Sequence, residues 1–163
     1  MTRLLPVLAA LALLSGPASA QSSLSLGQID VDPTAPVEIT ADSLSVDRET
    51  GRATFTGNVR VGQGELRLAA ANVDVLYDEA TGEVAELDAS GGVTFATATE
   101  AAESDAAVYD IASGLLTLTG DVLLTQGPNA LSSDRMVIDL ASGTAELTGG
   151  VRTVFGGQGS GAQ

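Results

Sequence analysis

The sequence contains no cysteine, histidine, tryptophan or lysine, and only five of its 163 residues are aromatic. Without cysteine there is neither a disulfide nor a thiol nucleophile. Without histidine, the commonest acid–base group and the usual nitrogen ligand of zinc are missing as well. The composition therefore predicts a protein that is not an enzyme and that uses no cofactor and no metal. Such a chain must be held together by apolar burial and by backbone hydrogen bonds.

Basic residues are also scarce, since seven arginines stand against 21 acidic side chains, a formal net charge of −14. Nothing in the sequence could form the basic patch that releases counterions from phosphates, which excludes nucleic acid as a partner. The hydrophobic fraction of 44% and the charged fraction of 17% are typical of a folded domain.

Long hydrophobic runs are absent too. The apolar stretch at 4–14 is interrupted by Pro6 and falls well short of the roughly 20 residues that span a bilayer. Arg3 precedes this stretch, and the small residues Ala18-Ser19-Ala20 follow it. The pattern predicts an export signal over the first twenty residues, cleaved after Ala20. An uncleaved membrane anchor is the alternative, and the mature N-terminus distinguishes the two.

A repeat dominates the rest of the chain. Gly-x-Val occurs four times, with the valines 34, 29 and 29 residues apart, and an Asp-x-x-Thr/Ser-Gly segment precedes each copy. In that segment the aspartate can accept hydrogen bonds from the following amides while the glycine closes a tight turn, which predicts a hairpin tip. The four predicted tips are 47–51, 78–82, 110–114 and 139–143. Calcium binding by these aspartates is disfavoured, because calcium-binding solenoids repeat every nine residues rather than about every thirty.

After each tip, apolar residues alternate with polar ones through the Gly-x-Val, as at Ala53, Phe55, Val59 and Val61. A period of two predicts β-strands. The glycine falls on the apolar side of the alternation, which indicates a bend or a close backbone approach. The alternative is that four missing side chains leave room for a long apolar ligand.

Before each tip, the parity of the apolar residues changes near Asp42, Asn72, Asp105 and Asp134. A phase slip at the same place in every repeat predicts a bulge or corner, where the strand passes from one sheet into another. The third repeat has the weakest pattern. Its predicted inward residues are Thr97, Thr99, Ala101, Ala106 and Val108.

These patterns predict an all-β fold, an antiparallel β-jelly-roll of four stacked bent hairpins over 37–155, open at both ends. We expect the polar lead-in at 21–36 to be flexible and the Gly-rich tail at 156–163 to be disordered. An open stack leaves two unpaired edges, one near Val37 to Ala41 and one near Glu146 to Val154.

The first repeat carries a family resemblance. The strand Ile39-x-Ala41-Asp42-x-Leu44-x-Val46-Asp47, the Thr50-Gly51 tip and the strand Phe55-Thr56-Gly57-Asn58-Val59-x-Val61 follow one another in this order behind the predicted export signal. This arrangement resembles the OstA-like domain family of LptA-type lipopolysaccharide transport proteins. The resemblance is strong over 37–78 and continues as degenerate repeats to about residue 155.

The resemblance implies a carrier in the periplasm of a Gram-negative cell envelope, which takes lipopolysaccharide from the inner to the outer membrane during outer-membrane biogenesis. The lipid A acyl chains would be shielded in the apolar interior. The residues predicted to line that interior are Ile39, Leu44, Val46, Phe55, Val59, Leu68, Val75, Val93, Phe95, Leu118, Val122, Met136 and Ile138.

The resemblance also implies partners at the two edges, joined by strand addition. The N-terminal edge, with Val37, Ile39 and Ala41, would pair with an LptC-type jelly-roll at the inner membrane. The C-terminal edge, with Leu147 and Val151, would pair with an LptD-type translocon at the outer membrane. Copies of the chain could also join head to tail through these edges, which gives open oligomers rather than rings.

Two other classes are weighed against the carrier. An exported structural β-solenoid without lipid cargo would share the repeats. A polysaccharide hydrolase or lyase would need paired carboxylates converging in a cleft, whereas most acidic residues here lie at predicted tips or on the outward side of strands.

Overall fold

The computed structural model describes residues 22–25, by their backbone alone, and residues 35–156. The predicted export signal, most of the predicted lead-in and the tail from 157 onward lie outside the described residues. No helix occurs in the described part of the chain, and so none there could cross a membrane.

The described residues contain eleven β-strands. In chain order they are β1 Ser22–Ser25, β2 Glu38–Thr40, β3 Ser43–Asp47, β4 Arg52–Gln63, β5 Leu66–Tyr77, β6 Val84–Ala96, β7 Glu100–Asp110, β8 Leu115–Gln126, β9 Asn129–Asp139, β10 Thr144–Thr148 and β11 Arg152–Val154.

The strands form one antiparallel sheet in which β4 to β10 pair with their neighbours in sequence. Strands β2 and β3 both lie along β4, strand β11 lies along β9, and β1 pairs with β10. Within the described ranges the sheet does not close on itself. The predicted all-β antiparallel fold of stacked hairpins is confirmed.

Each long strand is interrupted by a corner where the pairing register shifts. Between Thr56 and Val59 of β4, two residues stand opposite one residue of β5, which is the geometry of a β-bulge. The two residues of the bulge, Gly57 and Asn58, have φ values of +83° and +46°. Equivalent shifts occur at the other corners, as the parity changes predicted.

An aspartate locks the corner from outside. The amide of Asp42 donates to the carbonyl of Gly57 over 2.9 Å, and a Cβ on Gly57 would lie 2.5 Å from the Asp42 carboxylate. Because Asp42 is exposed, the space that the glycine leaves is filled on the outer side of the corner. The alternative that missing side chains form an apolar channel is therefore wrong. The same arrangement recurs in the pairs Asp105–Gly120 and Asp134–Gly149.

The corners divide the sheet into two halves that bury their apolar faces against each other. The tip half contains the Asp-Gly tips, β3 and β10, and the short-turn half contains the turn at Gly64-Glu65, β2 and β11. One cluster of buried side chains includes residues of both halves. Its members in the tip half include Val75, Leu118 and Ile138, and those in the short-turn half include Val61, Phe95 and Leu124.

The Asp-Gly tips have the predicted hydrogen bonds. The Asp78 carboxylate accepts from the amides of Ala80 and Thr81 over 2.8 and 2.9 Å, and Gly82 closes the turn with φ +70°. These backbone hydrogen bonds hold the pKa of Asp78 below its ordinary value. The carboxylates of Asp47, Asp110 and Asp139 accept from amides in the same way.

The prediction of which residues of the third repeat face inward is wrong. Strand β7 is ordered, and its buried residues are Glu100, Ala102, Ser104, Ala107 and Tyr109. This is the opposite parity to the prediction. The reason is that two polar residues face inward and have hydrogen-bond partners there. Ser104 donates to the carbonyl of Ala106 over 3.0 Å.

Glu100 is buried among donors at the β6–β7 turn. Its carboxylate accepts from the hydroxyls of Thr97 and Thr99 over 2.5 and 2.6 Å, and from the Gln126 amide over 3.1 Å. Burial acts to raise the pKa of Glu100, but the three hydrogen bonds together hold it below its ordinary value. The carboxylate therefore fastens the turn as a buried charge with its partners in place.

A buried hydrogen bond joins the two halves on the side opposite the corners. The Tyr109 hydroxyl, near a tip, donates to Gln63 Oε1, beside a short turn, over 2.8 Å. Both residues are almost fully buried, and Gln63 also donates to the carbonyl of Ala35 over 3.2 Å. Burial and the neighbouring Asp110 carboxylate raise the pKa of Tyr109.

Replacing a corner glycine tests the corner. Gly92→Ala should lose about 1–2 kcal/mol of unfolding free energy, because its φ is +83° although the space around it is open. Gly120→Ala should lose roughly 1–3 kcal/mol more, because its Cβ would also collide with Asp105. Urea unfolding followed by circular dichroism measures both. Equal losses at the two positions would contradict a role for the aspartate.

Removing the Tyr109 hydroxyl tests the contact between the halves. Tyr109→Phe should cost about 1 kcal/mol of unfolding free energy, because a buried amide loses one hydrogen bond while the ring stays in place. The matched control is Tyr77→Phe, at an exposed tyrosine whose hydroxyl has no hydrogen bond to the described residues. Losses of the same size from both changes in urea unfolding would show that the contact is not stabilising.

Candidate functional site

The interior is filled in its middle. Nine of the thirteen residues predicted to line it are buried, and two more, Ile39 and Phe55, are partly buried and packed against the core. The nine buried residues are Val59, Leu68, Val75, Val93, Phe95, Leu118, Val122, Met136 and Ile138. The described side chains of this region pack against one another, so an apolar ligand there would have to part the two halves.

The other two predicted lining residues mark an opening. Leu44 and Val46 of β3 stand directly opposite Phe55 and Ala53 of β4, and opposed residues of an antiparallel pair share one face of the sheet. They therefore belong to the inner face, yet they are 55% and 61% exposed. We call the surface formed by Leu44, Val46 and Phe55 the N-terminal mouth. The apolar inner face reaches solvent here.

The N-terminal edge itself is available for pairing. Strands β2 and β3 have β4 on one side and no other described strand on the other. Val37, Ile39 and Ala41, predicted as edge residues, are partly buried and packed against the core. Their backbone thus borders the mouth while their side chains anchor the edge.

The C-terminal edge differs from the expectation. It was expected to be unpaired from Glu146 to Val154, but β1 pairs with β10 through four residues. Leu147 is only 2% exposed, and its backbone lies between Ser22 on one side and Met136 on the other. The predicted unpaired edge is therefore wrong for β10. A strand also lies inside the lead-in that was predicted to be flexible.

The short-turn half of the C-terminal edge is different. Strand β11 pairs with β9 and has no second partner among the described strands. Val151 is exposed, as are Val154 and Phe155, the last to 75%. An apolar rim thus remains at this end beside the part that β1 covers.

Two arginines lie together beside β2, in the short-turn half of the N-terminal edge. Arg60 and Arg67 line an outer groove of about 500 Å³ beside β2, together with Thr40, Gly62 and one acidic residue, Glu38. The Arg67 guanidinium donates to the carbonyls of Gly64 and Leu66. Arg60 has no hydrogen-bond or ion-pair partner among the residues that the structure describes. In a chain with a net charge of −14, this groove is a place where an anionic group can meet a cation.

Acidic side chains do not converge at any described position. No group of three or more Asp or Glu residues in the described ranges could hold a metal ion. The acidic residues with lowered pKa lie at three tips and at the Glu100 turn, where each accepts hydrogen bonds. Their arrangement is accounted for by turn formation.

Known proteins share this architecture. A solved structure of LptH, the LptA-homologous periplasmic component of the lipopolysaccharide transport device of Pseudomonas aeruginosa, superposes with a TM-score of 0.62 at 20% identity. The match covers 82% of this chain and 91% of LptH. At this identity the likeness shows the shared fold.

Sequence comparison adds a relative and a family. An uncharacterized protein of Rhizobium meliloti (strain 1021) is 27% identical over 116 residues, which are 66% of this chain and 62% of the relative. The chain thus spans somewhat less than two thirds of that protein's length. The family model described as LptA/(LptD N-terminal domain) LPS transport protein matches residues 38–144, well over half of the chain. The chain therefore belongs to the LptA and LptD N-terminal domain family of lipopolysaccharide transport proteins, the OstA-like family.

Proposed function

We propose that this protein is a periplasmic carrier that shields the lipid A acyl chains of lipopolysaccharide in its apolar interior between the inner and outer membranes. The observation that carries the proposal is the N-terminal mouth, where the inner face stays apolar but is open to solvent at Leu44 and Val46. Membership of a family of transport proteins supports it.

The energetics of lipid transfer favour a covered apolar path. Each methylene exposed to water costs about 0.8 kcal/mol, so the roughly fifty methylenes of a multiply acylated lipid would cost on the order of 40 kcal/mol. A lining of many similar aliphatic side chains takes the place of water around the acyl chains at every rung. It also lets the lipid move on, because no single position binds it much more tightly than the next.

Acyl chains that enter at the mouth would have to part the two halves. The halves are hydrogen-bonded through the strands at the corners, whereas on the opposite side they meet through side chains, including Gln63 and Tyr109. Opening on that side breaks no pairing between neighbouring strands. The acyl chains can then take the place of contacts between the halves, apolar for apolar.

The anionic sugar phosphates need separate treatment, because the protein is itself acidic. Arg60 and Arg67 lie in the outer groove beside the N-terminal edge, where a phosphate can be paired while the acyl chains sit within. This placement offsets part of the repulsion between an anionic lipid and a chain of net charge −14.

The two edges are the proposed docking surfaces for the rest of the transport bridge. An LptC-type domain would add a strand to β2 and β3, which extends the inner face across the N-terminal mouth. An LptD-type domain would add to the C-terminal edge. Here the exposed side of β11 and the rim at Val154 and Phe155 are accessible in the described chain.

A structural β-solenoid without cargo is the second candidate. The filled middle of the interior favours it, since Val73, Val75, Leu118, Met136 and Ile138 have no measurable exposure. A purely structural role, however, gives no reason for the inner face to end in exposed Leu44 and Val46. A binding experiment at the mouth separates the two.

Charged substitutions at the mouth test the carrier. Leu44→Asp/Val46→Asp should weaken binding of fluorescently labelled lipopolysaccharide about tenfold or more, because two inner-face side chains lose their contacts with the acyl chains. The control Ser43→Asp/Ser45→Asp adds the same charge to the same strand on its outer face and should change the affinity less than about threefold.

Photocrosslinking provides the second arm of this test. A benzophenone side chain at Leu44 or Val46 should label with lipopolysaccharide, whereas the same probe at Ser45 should not. No labelling at any of the three positions would favour the solenoid without cargo. Equal labelling at all three would indicate adsorption on the surface and would also count against a shielded path.

A further inference from the structure

The short strand β1 occupies a place that an incoming strand would need. It pairs with β10 in antiparallel register from Ser22 opposite Leu147 to Ser25 opposite Thr144. Strand β10 is thereby enclosed between β9 and β1. The two ends of the sheet can be compared directly. Inner-face residues of β10 are 2% exposed, at Ala145 and Leu147, whereas those of β3, which lacks a covering strand in the described chain, are more than half exposed.

We propose that β1 is a displaceable cap on the C-terminal edge, and that it competes with the N-terminal edge of a second copy of this chain for pairing with β10. The pairing of β1 within its own chain and its competition with assembly are independent of any lipid.

The two edges of the molecule match in length and layout. At the C-terminal edge, β10 has five residues and β11 three, separated by the corner at Gly149-Gly150. At the N-terminal edge, β3 has five residues and β2 three, separated by the corner at Asp42. Placed side by side, the edges run antiparallel, so β3 would lie on β10 and β2 on β11. A second copy therefore fits the edge in both halves.

The cap covers only part of this edge. Strand β1 pairs with β10, whereas β11 has β9 as its partner and a free outer side within the described chain. An incoming copy can therefore pair first with β11, next to exposed Val154. It can then continue past the corner and replace β1 one residue at a time. Displacement in this order never leaves the outer edge of β10 wholly unpaired.

The strength of the cap is suited to exchange. Its four residues are Ser-Ser-Leu-Ser, and serine is not among the residues that favour strands. Ordering four backbone residues costs conformational entropy, which opposes what the four paired residues contribute. An incoming edge that offers eight residues in two strands gains more pairing than β1 gives up.

A designed disulfide tests where β1 lies, since the natural chain has no cysteine. Ser23 and Glu146 are direct partners in the register, so their Cα atoms fall within the range that a disulfide spans. The purified Ser23→Cys/Glu146→Cys protein, oxidised at low micromolar concentration, should form an intrachain bond in a monomer. The control Ser23→Cys/Ser45→Cys, with its second cysteine at the opposite end of the sheet, should not.

Assembly is then measured by sedimentation velocity. The oxidised Ser23→Cys/Glu146→Cys protein should stay monomeric at concentrations where its reduced form joins head to tail. Ser23→Pro/Leu24→Pro, which removes donors from β1, should assemble at about tenfold lower concentration than Ser23→Ala/Leu24→Ala. All of these variants keep residues 35–156 unchanged apart from the single cysteine.

Two results would overturn the cap. Interchain ladders instead of an intrachain bond would mean that β1 pairs with another copy. Equal assembly of the oxidised and reduced proteins would mean that β1 does not compete for the edge. A failure of the proposed function would appear elsewhere, as unchanged lipopolysaccharide affinity in Leu44→Asp/Val46→Asp.

Discussion

The folded sheet depends on the corner at which two residues of one strand oppose one residue of the next. A long antiparallel sheet with one apolar face cannot bury that face unless something covers it. Here the sheet covers itself, because the long strands β4 to β9 all bend at the same level. Two consecutive residues with positive φ make the bend, and the side chain of an aspartate or asparagine on the neighbouring strand lies beside the first of them. A corner missing from one strand would put that strand out of register with both neighbours.

The same corner explains why the interior varies along the stack. Rungs with neighbours on both sides have their apolar residues closed in by the opposite half, as at Leu118 and Ile138. The terminal rungs have a neighbour on one side, and their burial depends on what pairs with their edge. One end has no covering strand in the described chain and is open, and the other is closed in one half by β1. The molecule is thus asymmetric along its axis although its repeats are alike.

Much of this architecture follows from the sequence, because period and parity are properties of the backbone. The tips could be placed from the repeated Asp-x-x-Thr/Ser-Gly segment, and the strands and the corners at Asp42, Asn72, Asp105 and Asp134 from the alternation. The third repeat could not. Alternation assumes that inward residues are apolar, and Glu100 and Ser104 are buried with hydrogen-bond partners that only folding brings close.

Three further features required the folded structure. Gln63 continues the inward parity of Val59 and Val61, so the alternation could have placed its amide on the inner face. Its hydrogen bond to Tyr109 spans 46 positions in sequence, and no local pattern predicts it. Parity assigns Leu44 and Val46 to the inner face and says nothing of whether a strand covers them. Strand β1 has only four residues, and its partner β10 is near the other end of the chain. No local sequence pattern could therefore predict it.

The pairing of strands with their sequence neighbours has a consequence for how the chain acquires its structure. Each hairpin closes a short loop, so the conformational entropy lost at each step is small. The stack can therefore form one rung at a time as the chain emerges from the ribosome or from any other site of release. Strand β1 is the exception. It is synthesised before the other described strands but can pair only once β10, nearly the last of them, has formed, so the first of these strands to be made is among the last to find its partner.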